Sequence, residues 1–232
     1  MVTSGTHTFN LDTAEIIQEA YERCGIETKS GYDLKTARRS LNLLLTKWVN
    51  DGVNLFTLNL ETIAMTKDQD HITVSAGSHL DILDGVIRDN SDTSSPQDVS
   101  LERISLDEYL QIPTKSDTGK PVQFSVERNA QFTSSGTATH KIYLWPIPDQ
   151  TYYQFVTWTI KYPEDVSATY SQNPQIPKRY LPALISGLAV ELAMKKAPDR
   201  LQVLKPFYDE DWAKAKDEDR ERVSFYVQPQ VY

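Results

Sequence analysis

Apolar positions recur with a period near 3.6 at both ends of the chain and near two in its middle. After an N-terminal arm, "NLDTAEIIQEAYERCGI" places Ile16, Ile17, Ala20, Tyr21 and Cys24 on one helical face. Asp12 or Asn10 can cap this helix, Glu15 supplies a capping-box partner, and Gly25 is placed to stop it. "YDLKTARRSLNLLLTKWVNDG" repeats the pattern with Leu34, Ala37, Leu41, Leu44, Leu45 and Trp48, and Gly52 ends it. The short connection predicts an antiparallel helical hairpin.

From Leu55 the alternation changes. "LFTLNLETIAM" sets Phe56, Leu58 and Leu60 against Thr57, Asn59 and Glu61, as a half-buried strand does. "HITVS" is short and β-prone, and "HLDILDGVIRD" reads as a broken strand with a turn at Asp84-Gly85. "SLDEYLQIP" is one or two helical turns, capped by Ser105 with Glu108 and stopped by Pro113. "PVQFSVERN" is a strand with Val122, Phe124 and Val126 on one face. "KIYLWPIPDQTYYQFVTWTIKY" then reads as a hairpin: one strand out, a proline-marked turn, and one strand back.

The last third returns to helices. "KRYLPALISGLAVELAMKKA" presents Leu181, Leu184, Ile185, Leu188 and Leu192 on one face, with Pro182 suited to the first turn. Gly187 costs such a helix about 1 kcal/mol against alanine, which a close helix-helix approach would explain. "PDRLQVLKPFYDEDWAKAKDEDRER" carries the stripe Leu201, Leu204, Tyr208, Trp212 and Ala215, and Pro206 should kink or restart it.

The order helix, helix, strands, helix, helix predicts an α+β fold. Neither helical pair can bury its stripe alone, so the pairs are expected to pack on each other. The expected organisation is a helical bundle of residues 1–54 and 178–222, an inserted β-rich domain over 55–177, and an extended C-terminal tail over 223–232.

Composition narrows the function. Of the 232 residues 39% are hydrophobic, which supports a core and argues against global disorder. The longest apolar stretch, "LPALISGLAVELAM", is too short to span a bilayer and contains Glu191, and the N-terminal residues resemble no secretory signal, so no membrane partner is expected. The single cysteine, Cys24, excludes an internal disulfide and reads as a buried small hydrophobe. A net charge of −8 lacks the basic footprint that grips phosphates.

Candidate chemistry is sparse. His7, His71, His79 and His140 lack metal-ligand spacing, although a turn could bring His71 and His79 together. Phosphate-loop and nucleophile-elbow patterns are missing. The carboxylate pairs Asp81 with Asp84, Asp107 with Glu108, and Glu164 with Asp165 read as solvated loops, and nothing selects one for acid–base work. The expectation is no enzyme, no catalytic residue, no metal site and no cofactor.

Two segments ask for partners. In the aromatic stretch, Tyr143, Trp145, Tyr152, Tyr153 and Trp158 fall on both faces of the strands, so some rings serve the core and others can meet a neighbouring protein molecule. A carbohydrate-binding platform is the alternative, and a base-stacking one is disfavoured because only Lys141 and Lys161 accompany the rings. The C-terminal "VSFYVQPQVY" is uncharged and β-prone. Val223, Phe225, Tyr226, Val227 and Tyr232 are its candidate docking residues, by addition to an exposed sheet edge.

Taken in order and spacing, "AYERCGI", "LNLLLTKWVNDGVNLFTL", "ISLDEYLQIPTKSDTGKPVQFSVER", "IYLWPIPD" and "PQIPKRYLPALISGLAVELA" resemble the head-to-tail connector (adaptor) proteins of short-tailed bacteriophages. The resemblance spans roughly residues 10–220. It implies a structural virion protein at the capsid portal vertex, made in the host cytoplasm. It further implies a ring of copies of itself, usually twelve, that binds the portal protein and offers the tail nozzle or tube protein its attachment surface. Genomic DNA would pass through the lumen without specific binding. The resemblance carries over no catalytic residues. Where the family often shows an "LP-x-D" strand, this chain has "SHLDILDG". An acidic lumen would repel phosphates and let DNA slide.

Overall fold

The computed structural model describes residues 5–6, 9–27, 30–53, 57–128 and 138–217. Among them the elements follow as α1 (Thr13–Arg23), α2 (Gly31–Asn50), β1 (Leu58–Ala64), β2 (His71–Ser75), β3 (His79–Asp89), β4 (Gln97–Ser100), β5 (Glu102–Arg103), α3 (Leu106–Gln111), β6 (Thr118–Gly119), β7 (Gln123–Glu127), β8 (Thr139–Trp145), β9 (Ile147–Pro148), β10 (Tyr153–Lys161), α4 (Leu181–Lys196) and α5 (Leu201–Asp217). The fold is α+β. The chain divides into two compact units, Met1–Phe56 with Pro163–Tyr232, and Thr57–Tyr162.

The helical ends follow from local chemistry. Asp12 accepts from the Glu15 backbone while Glu15 reaches back to the Asp12 backbone, a complete capping box for α1. Two further N-terminal donors of α1, Thr13 N–H and Ala14 N–H, find the carbonyls of Gln172 and Tyr170. At its other end Gly25 takes φ +70°, donating to Glu22 O while Ile26 N–H donates to Tyr21 O. Gly52, at φ +81°, closes α2 in the same way, with Val53 N–H on Trp48 O. This left-handed turn is the conformation glycine adopts without a steric penalty.

The stripes of α1 and α2 are buried where the sequence places them, from Ile16 to Cys24 and from Ala37 to Trp48. The face of α4 is a correction. It is not a one-sided stripe: Ala183, Ser186, Gly187, Ala189, Val190 and Ala193 are buried along with the expected leucines. The small residues between the leucines let α1, α2 and α5 all pack against it. Gly187 is the tightest point, since a Cβ there would lie 2.8 Å from both Leu44 Cδ2 and Tyr208 Cε2. Pro206 sits inside α5 without ending it; the proline lies on an exposed face, where water can take up the carbonyl it leaves unbonded. Trp48 is fully buried in this core, stacks on Trp212 at 4.7 Å and donates from Nε1 to Tyr208 Oη at 3.1 Å.

The β-rich unit holds a sheet of order β1-β10-β3-β4, a second of order β2-β8-β7-β5, and the short parallel pair β6-β9. The two larger sheets share one core of Met65, Ile72, Ile82, Ile87, Phe124, Ile142, Leu144, Phe155 and neighbours. Phe124 of one meets Phe155 of the other at 5.5 Å between ring centroids.

Two further expectations are overturned. The aromatic stretch is not a hairpin, because β8 pairs with β2 and β7 while β10 pairs with β1 and β3. Pro146 and Pro148 have no N–H with which to continue a ladder, and the chain between them crosses from one sheet to the other. Residues 79–89 are one strand without a turn at Asp84-Gly85. Its register against β10 slips between Thr157 and Thr159, so the irregularity read as a turn is a bulge.

Candidate contact surfaces

The outer surface of the β1-β10 pair is built by alternation. Phe155, Thr157 and Thr159 turn inward and are buried, while Trp158 lies on the opposite face and is 48% exposed. Its direct cross-strand partner is Leu60, which is 54% exposed. Val156 and Thr62 form the next pair along the same face. An uncompensated tryptophan-leucine pair on a sheet surface is a contact feature, because burying either side chain is worth about 1.5–3 kcal/mol and the subunit leaves both open.

The other rings are placed differently. Tyr153 is only 6% exposed and belongs to the core, with Lys120 Nζ 5.8 Å from its ring centroid. Burial first, then the neighbouring Tyr152 hydroxyl, holds its phenol protonated far above the usual range. Tyr152 packs edge-on against it at 4.8 Å and keeps part of its own ring exposed. Tyr143 stacks on Tyr109 of α3 at 5.0 Å and donates to Glu127 Oε2 at 2.7 Å. That carboxylate partner, with burial behind it, pushes the Tyr143 phenol up to about 12. Trp145 ends β8 and donates from Nε1 to Thr114 O at 3.1 Å. The five rings therefore form no single platform: Trp158 faces outward, Tyr153 faces the core, and Tyr143 and Trp145 are tied to α3 and the residues after it. The tail residues Val223, Phe225, Tyr226, Val227 and Tyr232 lie outside the described residues.

Sequence reasoning missed the α3 side. Leu106 and Leu110 are exposed on a helix whose Tyr109 supports Tyr143, and these residues with Lys115 and Ile147 line a cavity of about 630 Å³. The signal was available, since a two-turn helix with leucines at positions one and five has an apolar side that it cannot bury alone.

Several of the candidate polar groups are engaged in structure. His79 lies with Nε2 2.9 Å from Glu61 Oε2, and Lys161 Nζ contacts Glu61 Oε1 at 2.5 Å. Burial pushes the Glu61 carboxyl up, but the hydrogen bonds from Lys161 and His79 outweigh it and the net shift is downward. His71 contacts Asp70 and stands on the other sheet from His79, so the two do not converge. Asp81, a member of one candidate carboxylate pair, is held by Arg103 at 3.1 Å and Arg128 at 3.6 Å. Among the described residues no three His, Cys, Asp or Glu side chains gather as a metal site. Cys24 is buried against α4, its thiol on Ala189 O at 3.2 Å, and burial raises its pKa.

The fold and its surfaces define an α+β protein whose β-rich unit follows α2 and precedes α4 in the sequence and leaves an apolar cross-strand pair open. Comparison with known families gives the class its identity. The chain matches the SU10 adaptor protein family over residues 12–229 and belongs to it. It is a bacteriophage head-to-tail adaptor, a structural component of the virion that associates with other virion proteins. No curated protein matches the chain. Among the described residues no helix is long and apolar enough to cross a membrane.

Proposed function

We propose that the protein assembles head to tail into a ring of about twelve copies that docks on the portal, extends the DNA channel and gives the tail its attachment surface. The observation that carries this reading is membership of the adaptor family across residues 12–229. In this reading the helices of residues 1–54 and 178–222 form the ring's bundle, the β-rich insertion and the tail of residues 223–232 supply contacts, and the role is structural rather than catalytic. A closed ring needs two different patches per copy, one meeting the other on the next subunit. The open Leu60–Trp158 pair and the uncharged C-terminal segment are two such patches.

The net charge of −8 per copy adds up around a ring. An acidic lumen repels phosphates at close range, so DNA slides through instead of binding. The carbohydrate-binding alternative gains nothing from the geometry, because its rings are divided between two sheets and Tyr153 is buried.

The test is the mass of the purified full-length protein, alone and mixed with portal-bearing capsids, by native mass spectrometry and analytical ultracentrifugation. A ring in either sample supports the proposal. A monomer in both removes it.

A further inference from the structure

The four edges of the two larger sheets are not equally protected. Free edges invite pairing with another chain, and proteins blunt them with charge, proline or shortness. β4 carries Asp98, locked to Arg88 by two hydrogen bonds at 2.8 Å, and follows Pro96. β5 is two residues long. β2 turns only His71, Thr73 and Ser75 away from its core. β1 is the exception: seven residues long, paired among the described residues only with β10, and free of proline and lysine. Its one charge, Glu61, is consumed by His79 and Lys161. On its outer face Leu60 stands open beside Trp158.

We infer that the edge of β1 receives residues 223–228 of a second copy as an added strand, with Phe225 seated beside Leu60 and Trp158. The argument for this occupant is in its sequence. "VSFYVQ" alternates Val223, Phe225 and Val227 against Ser224, Tyr226 and Gln228, it is about as long as β1, and Pro229 marks where a ladder would have to stop. It is also uncharged in a chain of net charge −8, so it can approach a like-charged copy without adding to the repulsion. Backbone hydrogen bonds supply affinity at such an edge, and the alternate side chains supply specificity. The tail and the β1 edge are different patches, so the contact is heterologous and can close a ring. In that respect the inference rests on the ring reading above.

The test replaces Phe225 with the photo-cross-linker p-benzoylphenylalanine in the full-length protein, mixing isotopically heavy and light chains. Irradiation followed by peptide mass spectrometry is expected to give heavy-to-light cross-links from position 225 into residues 58–64 or 156–160. Leu60→Lys, a change at an exposed position, should leave the subunit's melting curve unchanged and cut the yield by about tenfold, as a charge on an edge strand does. Native mass spectrometry on the same samples separates the failures. A ring whose cross-links run elsewhere, or only within one chain, overturns the inference and leaves the ring standing. A chain that stays monomeric, both alone and with portal-bearing capsids, overturns both.

Discussion

The ring of Phe155 lies across Gly85, so closely that a β-carbon on the glycine would stand 2.5 Å from Phe155 Cε2 and 2.8 Å from Cζ. Gly85 pairs with Thr157 and Ile87 pairs with Phe155, which puts glycine and ring two rungs apart on the same face of the sheet. The ring is fully buried between the sheets and meets Phe124, so it cannot swing aside. Gly85→Ala should therefore cost about 1–3 kcal/mol of stability through overpacking. Urea denaturation checks this, and an unchanged midpoint would show that the strand absorbs the methyl.

Gly187 is a second close approach with an opposing local preference. Alanine gains about 1 kcal/mol of helix propensity there but drives its methyl into Leu44 and Tyr208. The clash, about 1–3 kcal/mol, should win, so Gly187→Ala is expected to lower the melting temperature. A rise would mean that α5 moves away freely.

Glu61 ties stability to acid pH. Its folded-state pKa is lowered, since the Lys161 and His79 hydrogen bonds outweigh the opposing effect of burial. A depressed carboxylate contributes stability that is present above the unfolded value, about 4.3, and is lost as pH falls through the folded value. Glu61→Gln should cost about 1.5–3 kcal/mol at pH 7 and flatten the acid limb of the stability profile. Parallel acid limbs for variant and parent would remove Glu61 from the account.

Tyr143 acts at the opposite extreme. Its phenol is raised to about 12, chiefly by its hydrogen bond to Glu127. A raised pKa means stability fully present below about 10 and lost as pH climbs toward the folded value. Spectrophotometric titration of the parent and of Glu127→Gln should show one tyrosine shifting its ionisation to lower pH in the variant. Identical curves would count against the bond.

Removal of residues 223–232 tests the contact role of the tail. The shortened subunit is expected to keep the parent's far-ultraviolet circular dichroism and melting temperature while assembling poorly with itself or with portals. Assembly at the parent's level would eliminate the tail as a docking element.

Local rules were legible in the sequence. The capping boxes at Asp12 and Ser105, the stops at Gly25 and Gly52, and the stripes of α1 and α2 depend on near neighbours and on periodicity, and the structure shows each of them. The reason for Gly187 was legible too, because a glycine inside a helix is a cost that packing must offset. Strand pairing was not. Two β-prone runs flanking prolines look like a hairpin whichever sheets they join, and partner choice depends on residues far away, such as Phe124 opposite Phe155. The Asp84-Gly85 pair misled for a related reason: turn formers and bulge formers are the same residues, and only the opposing strand shows which is present. For the five candidate rings, alternation showed that they fall on both faces but not which face is inward, so Tyr153 stood beside Trp158 as a contact candidate until the fold buried it, and the tie from Tyr143 to Glu127 and Tyr109 also needed the fold.

The β-rich unit begins at Thr57 and ends at Tyr162, and its first and last strands are paired, Leu58 opposite Ile160. The chain thus leaves the helices and returns to them through neighbouring rungs of one ladder, about 5 Å apart. An insertion with its two ends clasped in this way is a cassette. Its removal would leave two chain ends that a short turn could join, without re-threading α1, α2, α4 or α5.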